Sequence, residues 1–109
     1  MNTDRKYDLV ITIINHGDAD IVMEAAKEAG AKGGTVLTPR SLGTKEAAKI
    51  FGISIQEEKE IVIIVVEKEM RKDIMKEIYK AAGLNTKSRG ISLAVPIDDV
   101  IGISSLEEL

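Results

Sequence analysis

The segment 61–66 (IVIIVV) is an unbroken run of β-branched apolar residues between charged neighbours. Such a run is short for a helix, and it lacks the polar alternation that would leave one face of a strand in water. It therefore predicts a central β-strand that is covered on both faces. A second β-branched run, Tyr7–Asn15 (YDLVITIIN), predicts another strand.

Two other segments carry apolar residues at helical spacing. The first helix follows Asp18, a typical N-cap residue, and ends at Gly30. Its apolar stripe consists of Ile21, Val22, Ala25, Ala26 and Ala29. The second helix spans 69–82 and ends at Gly83, with Met70, Ile74, Ile78 and Ala81 on one stripe.

The remaining segments complete the element order. Residues 35–38 predict a strand that Pro39 halts, and residues 91–95 predict a last strand that Pro96 closes. Between them, residues 44–52 combine a capping threonine with good helix formers, which predicts one short helix. The order predicts an α+β, ferredoxin-like βαββαβ fold with two helices on one face of a four-stranded antiparallel sheet. We expect one domain over 1–109 with a short inserted loop or helix at 40–55, and a neighbouring copy covering the other face.

Composition excludes several classes of function. The chain has 109 residues, 15 Lys and Arg and 18 Asp and Glu, so its formal net charge is −3. An acidic chain without a basic run lacks the electrostatic footprint of a nucleic-acid-binding protein. It has no cysteine and one histidine, which removes thiol chemistry and makes a transition-metal site poor. No apolar run is long enough to span a membrane and no signal-peptide core precedes the first strand, so we expect a soluble, cytoplasmic protein.

The residues that could bind a ligand lie at glycine-rich and basic corners, since no nucleophile and base stand at a catalytic spacing. Glycine lets backbone amides approach a phosphate, and cations bind its charge. The best local pair is Arg89-Gly90, in a loop before the last strand. Turn formation and solvated charge are the alternative interpretations of each residue. The other candidate glycines and cations are Gly33, Gly34, Gly43, Gly83, Arg40, Lys45, Lys59 and Lys87.

Several of these pieces together resemble the PII signal-transduction family, the nitrogen regulatory proteins. They are Gly33-Gly34-Thr35-Val36, Gly43, the stretch 58–66, the helix to Tyr79, and Pro96-Ile97-Asp98-Asp99-Val100. The resemblance extends from Tyr7 to Ile103 and is strongest to short-loop, PII-like members. It implies a homotrimer with three intersubunit clefts, each of which binds an adenine nucleotide.

The resemblance also assigns site residues. It implies that Thr35, Gly43, Lys59 and the pair Arg89-Gly90 contact the nucleotide. Two family features have no match: residues 40–55, the place of the mobile T-loop, contain no tyrosine, and 102–105 lack the C-terminal arginines that reach a neighbour's phosphates. A ligand with fewer phosphates (AMP, ADP or cyclic AMP rather than ATP) needs fewer cations, and Arg40 at the loop base could replace part of the missing charge.

The resemblance implies a regulatory protein rather than an enzyme. We expect ligand in the cleft to change the arrangement of 40–55 and so the affinity for a protein target, a transporter or an enzyme, in nitrogen or related metabolism. The alternative is a trimer like the divalent-cation tolerance proteins, which share the fold and have a metal-binding or structural role.

Overall fold

The computed structural model describes residues 5–38, 49–50, 53–54, 59–86 and 89–102. The main sheet has the order β2-β5-β1-β6, and every pair in it is antiparallel. The predicted ferredoxin-like fold, with two helices on one face of four strands, is confirmed. The elements are β1 (Tyr7–Asn15), α1 (Ala19–Glu28), β2 (Thr35–Leu37), β3 (Lys49–Ile50), β4 (Ile53–Ser54), β5 (Lys59–Glu67), a 3₁₀ turn (Lys68–Met70), α2 (Arg71–Ala82) and β6 (Gly90–Ile97).

The two apolar strands that the sequence singles out lie side by side at the centre of the sheet. β1 pairs with β5 along its whole length, with Val10 opposite Ile64 and Ile13 opposite Ile61. Because side chains alternate along a strand, the even-numbered residues of this pair face the helices and the odd-numbered ones face away. The central strand predicted over 61–66 is confirmed and is longer, since it includes Lys59, Glu60 and Glu67.

The main core lies between the sheet and the helices. α1 contributes Val22 and α2 contributes Ile74 and Ile78, all of which are buried. Both helices therefore place their apolar stripes on the sheet, as amphipathic helices do. α2 ends at Gly83 in the left-handed conformation, which confirms the predicted stop. The core is completed by Val10, Ile14, Ala19, Ala26, Ala31, Val62, Ile64, Val66 and Ala82.

The opposite face of the sheet is apolar but unevenly exposed. Ile11, Ile13 and Ile61 are buried there within a single chain. The side chains packed around them are only partly buried: Leu9, Leu37, Ile63, Leu93 and Val95. The predicted need for a cover from a neighbouring copy therefore concerns these outer residues rather than the whole face.

Two polar residues, Asp8 and Thr12, interrupt the helix-facing side of β1. Asp8 is 1% exposed, and its carboxylate accepts hydrogen bonds from Arg5 Nε at 2.8 Å and from Arg71 Nη1 at 3.1 Å. A buried carboxylate needs such partners to offset its lost hydration, and its hydrogen bond raises the pKa of Arg5. Farther along β1, the hydroxyls of Thr12 and Ser92 lie 2.9 Å apart. These contacts fix α2 and β6 on β1.

Three predicted details are wrong. Lys49–Ile50 is a strand paired with Ile53–Ser54, where the sequence predicts the end of a helix, because β-branched isoleucines favour the extended chain; the rest of 44–52 lies outside the described residues. Pro96 lies inside β6, because an edge strand tolerates a missing N–H on its unpaired side. On the helices, Ile21 and Ala81 are exposed, and Ala82 is buried instead.

A matched pair of isoleucines tests this assignment of the core. Ile78→Ala in α2 removes a side chain with no exposed surface, so we expect the free energy of unfolding to fall by about 2 to 5 kcal/mol. Ile21→Ala makes the same change in α1 at a side chain that is 44% exposed, so we expect a change within about 0.5 kcal/mol. Urea unfolding followed by circular dichroism measures both. Equal losses would contradict the described core.

Candidate functional site

Three of the predicted site residues lie at one end of the sheet. Gly90 begins β6 opposite Ile14, and Lys59 begins β5 opposite Asn15. β5 and β6 flank the end of β1 on either side, and Arg89 directly precedes Gly90. The structure thus brings Lys59, Arg89 and Gly90 to the same end of the sheet, about two strand spacings apart.

Gly90 is a position that only glycine fits. Its φ is +145°, and a Cβ there would overlap the carbonyl oxygen of Ile13. The backbone of β6 therefore passes directly against β1 at this point, without a side chain between them.

Arg89 projects from a compact turn after α2. Its backbone N–H donates to the Thr86 carbonyl at 3.0 Å, and that of Thr86 donates to the Gly83 carbonyl at 3.2 Å. The Arg89 side chain is exposed and lies along Gly83. A guanidinium exposed at the surface beside a glycine suits an anion.

Lys59 is held by the neighbouring strand. Its Nζ donates to Asn15 Oδ1 at 2.5 Å. The next residue, Glu60, accepts a hydrogen bond from the Gly17 N–H at 2.9 Å and lies 3.6 Å from His16 Nδ1. These contacts order the turn after β1 beside the cations.

Thr35 lies elsewhere, at the opposite edge of the sheet. It is exposed at the start of β2 and lines a cavity of about 450 Å³. Residues 30–35 together with Ile63 and Val65 form much of its wall. Gly34 permits this close approach, because a Cβ there would lie 2.8 Å from Ile64 Cγ1 and 3.0 Å from the Ile63 carbonyl oxygen.

The two groups of residues do not meet within one chain. β2 and β6 are the two edges of the sheet, about 14 Å apart across three strand spacings. Thr35 also pairs with Ile63, about 13 Å along β5 from Lys59. One chain therefore carries two separate half-sites: the β6 half-site (Lys59, Arg89 and Gly90) and the β2 half-site (Thr35 and its cavity). The other two predicted residues, Arg40 and Gly43, lie outside the described residues.

The described residues meet the requirements of neither a metal site nor a membrane-spanning helix. Across 5–38, 59–86 and 89–102, no three His, Asp or Glu side chains are grouped so that they could hold a metal ion. In the same part of the chain, no helix is long and apolar enough to cross a lipid bilayer.

Sequence reasoning missed two residues that organise these surfaces. Asn15 holds the Lys59 ammonium, and Asp8 holds the Arg71 guanidinium. A charged residue inside the apolar strand 7–15 is the one signal that could have indicated Asp8, since a carboxylate on a covered face needs a cationic partner.

The fold defines a ferredoxin-like α+β domain. The family model described as nitrogen regulatory protein P-II matches residues 7–107, and the chain therefore belongs to the P-II family. Solved structures that match include the crystal structure of Arabidopsis thaliana PII bound to citrate. Its TM-score is 0.65 and its identity 22%, over 94% of this chain and 88% of that chain, which shows the shared fold. A comparison with curated proteins gives no match.

Two glycines provide a matched test of the β6 half-site backbone. We expect Gly90→Ala to lower the free energy of unfolding by about 2 kcal/mol or more, because the residue is strained at positive φ and overlaps Ile13. A Cβ at Gly33 would meet nothing within 4 Å, so we expect Gly33→Ala to change stability by less than about 0.5 kcal/mol. Thermal and urea unfolding measure both variants. Two equally stable variants would contradict the close approach of β6 to β1.

Proposed function

We propose that this P-II family protein is a trimeric sensor that binds an adenine nucleotide between neighbouring copies. The observation that carries the proposal is the division of the candidate residues between the two edges of one sheet. A β2 half-site and a β6 half-site at opposite edges form one cleft when the β2 edge of one copy lies beside the β6 edge of the next. Repeating that junction three times closes a ring with three clefts.

The open face of the sheet supports a closed assembly. Its outer side chains Leu9, Ile63, Leu93 and Val95 are partly exposed apolar groups. A small chain that leaves such a surface gains stability from covering it with another copy. The threefold number itself comes from the family rather than from the geometry of one chain.

The two half-sites suit different parts of a nucleotide. Ile63 and Val65 give the β2 half-site an apolar wall for a base, and the Thr35 hydroxyl can donate or accept a hydrogen bond. Arg89 and Lys59 offer positive charge for phosphates, and Gly90 adds no side chain beside them. Arg40 and Gly43 complete the set in this proposal. The Arabidopsis PII structure is bound to citrate, which is also an anion.

The segment 40–55 is the proposed output. It lies between β2 and β5 in the chain, so it belongs to the connection from the strand of Thr35 to the strand of Lys59. Ligand that draws these strands toward the neighbouring copy favours one arrangement of the segment, which changes its affinity for a protein target such as a transporter or an enzyme. The role is binding in nitrogen or related metabolism, without turnover.

Calorimetric titration with AMP, ADP, ATP and cyclic AMP, with and without magnesium, tests the ligand class. We expect at least one of them to bind near one site per subunit. Arg89→Ala should weaken that binding about tenfold to a hundredfold, because a charge-assisted hydrogen bond contributes about 1.5 to 3 kcal/mol.

Lys80→Ala is the matched control, since Lys80 is an exposed cation on α2 beside Glu77 and outside both half-sites. It should bind like the wild type. The proposed ligand site would be overturned if none of the four nucleotides bound. It would also be overturned if Arg89→Ala bound the nucleotide as tightly as the wild type.

A further inference from the structure

We propose that a basic groove along α2 docks onto the acidic flank of α1 of the next copy, and that this charge pairing fixes which edge of one copy meets the next. The inference rests on the proposed function, because it takes the cyclic assembly as given and names a surface that directs it. The basic groove is defined here as the cleft between α2 and β6. The acidic flank is defined as the side of α1 that carries Asp20, Glu24 and Glu28.

The basic groove has a largely apolar lining, and the charged residues along it are mainly cations. It encloses about 860 Å³ between α2 and β6 and is lined by Arg71, Lys72 and Lys76, against one acid, Asp73. Lys72 and Lys76 are one helical turn apart, so they share a face of α2. An occupant that carries carboxylates fits this charge.

The groove exists because the side chains of β6 that face the helices are small. Gly90, Ser92 and Ala94 alternate there, and they pair with Ile14, Thr12 and Val10 of β1. The large residues of β6 point to the other face. α2 therefore stands over β1 with little side-chain volume beneath its outer flank, and the space remains open.

One of the cations is fixed in place. Arg71 Nη1 donates to the buried carboxylate of Asp8, while the residue is 31% exposed and lines the groove. A guanidinium has five N–H donors, so this contact leaves others for an occupant. A cation that is already ordered loses less side-chain entropy when it binds.

The acidic flank borders a second groove at the other edge of the sheet. This groove encloses about 510 Å³ and is lined by Asp20, Glu24 and Glu28, against one cation, Lys27. Ile64, a helix-facing residue of β5, forms part of its floor, so both grooves lie in the helix layer. The two edges of one subunit thus carry opposite charge at the same level.

A head-to-tail ring brings two different surfaces together at every junction. When the β2 edge of one copy meets the β6 edge of the next, the acidic flank faces the basic groove. Pairing two like edges would instead place like charges together. Exposed apolar groups accompany both surfaces: Val36 on β2 is 40% exposed and Tyr79 in the basic groove is 50% exposed. Such side chains are typical of interfaces.

This pairing has a consequence for the cleft. The β2 half-site meets the β6 half-site only in the head-to-tail arrangement. Charge complementarity selects partners and register more than it adds affinity. The grooves therefore act as the element that makes every junction a complete cleft.

Charge reversal tests the inference on the full chain. Lys72→Glu with Lys76→Glu makes the basic groove acidic, and Glu24→Lys with Glu28→Lys makes the acidic flank basic. Each pair of substitutions should raise the dissociation constant of the assembly at least about tenfold, because like charges then face each other. Sedimentation equilibrium over a concentration series measures the constant.

The variant with all four substitutions restores opposite charges with reversed polarity. It should assemble within about threefold of the wild type, which separates docking from simple misfolding. Lys68→Glu with Lys80→Glu is the matched control, because it makes the same change in net charge near α2 at residues that do not line the groove. It should assemble like the wild type.

The outcomes separate this inference from the proposed function. If the wild type assembles and neither reversal changes its dissociation constant, the docking of the grooves is overturned and the intersubunit cleft stands. If the reversals weaken assembly and the fourfold variant does not recover, the pairing is also overturned. A wild type that is monomeric at all concentrations would overturn the proposed function itself.

Discussion

The antiparallel pairing of β1 with β5 forms the centre of the sheet and sets where the other elements pack. Both strands carry apolar residues on both faces, so each needs neighbours that cover these faces as well as strands beside it. The helices cover the side of Val10, Ile14 and Ile64. β2 and β6 then take the outer positions, and every residue that they carry is placed at an edge of the sheet.

That placement divides the candidate site. The centre of the sheet holds packed isoleucine and valine, whereas the polar and glycine-rich residues lie where the backbone runs open at its edges. At Gly34 and Gly90 the backbone passes so close to the neighbouring strand that a Cβ would overlap it. Each half-site is built on such a close approach, and a second copy supplies the missing half in the proposed assembly.

The sequence predicted those parts of the fold in which local preference and burial agree. The run 61–66 has the composition of a strand and is packed at the centre of the sheet. Ile74 and Ile78 have helical spacing and are buried on one face of a helix, so the pattern predicted both elements correctly. The predicted helix was wrong at Lys49–Ile50, because the helix-forming neighbours were given more weight than β-branched Ile50. Its strand partner, Ile53, was not recognised. The contact of Asp8 with Arg71 could not be predicted, because the two residues are 63 positions apart. For the same reason, the sequence named Thr35 and Arg89 without indicating that one sheet separates them.

Complementation between two defective variants tests the shared cleft most directly. Thr35→Glu disrupts the β2 half-site, and Arg89→Glu disrupts the β6 half-site. Each variant alone should lose binding of the nucleotide that the wild type binds. Random reassembly of equal amounts should restore about one quarter of the sites, since every mixed trimer has one junction between two intact halves. Calorimetric titration of the two variants after they are unfolded and refolded together measures the number of restored sites. A mixture that recovers no binding, from variants that assemble like the wild type, would contradict a site shared between copies.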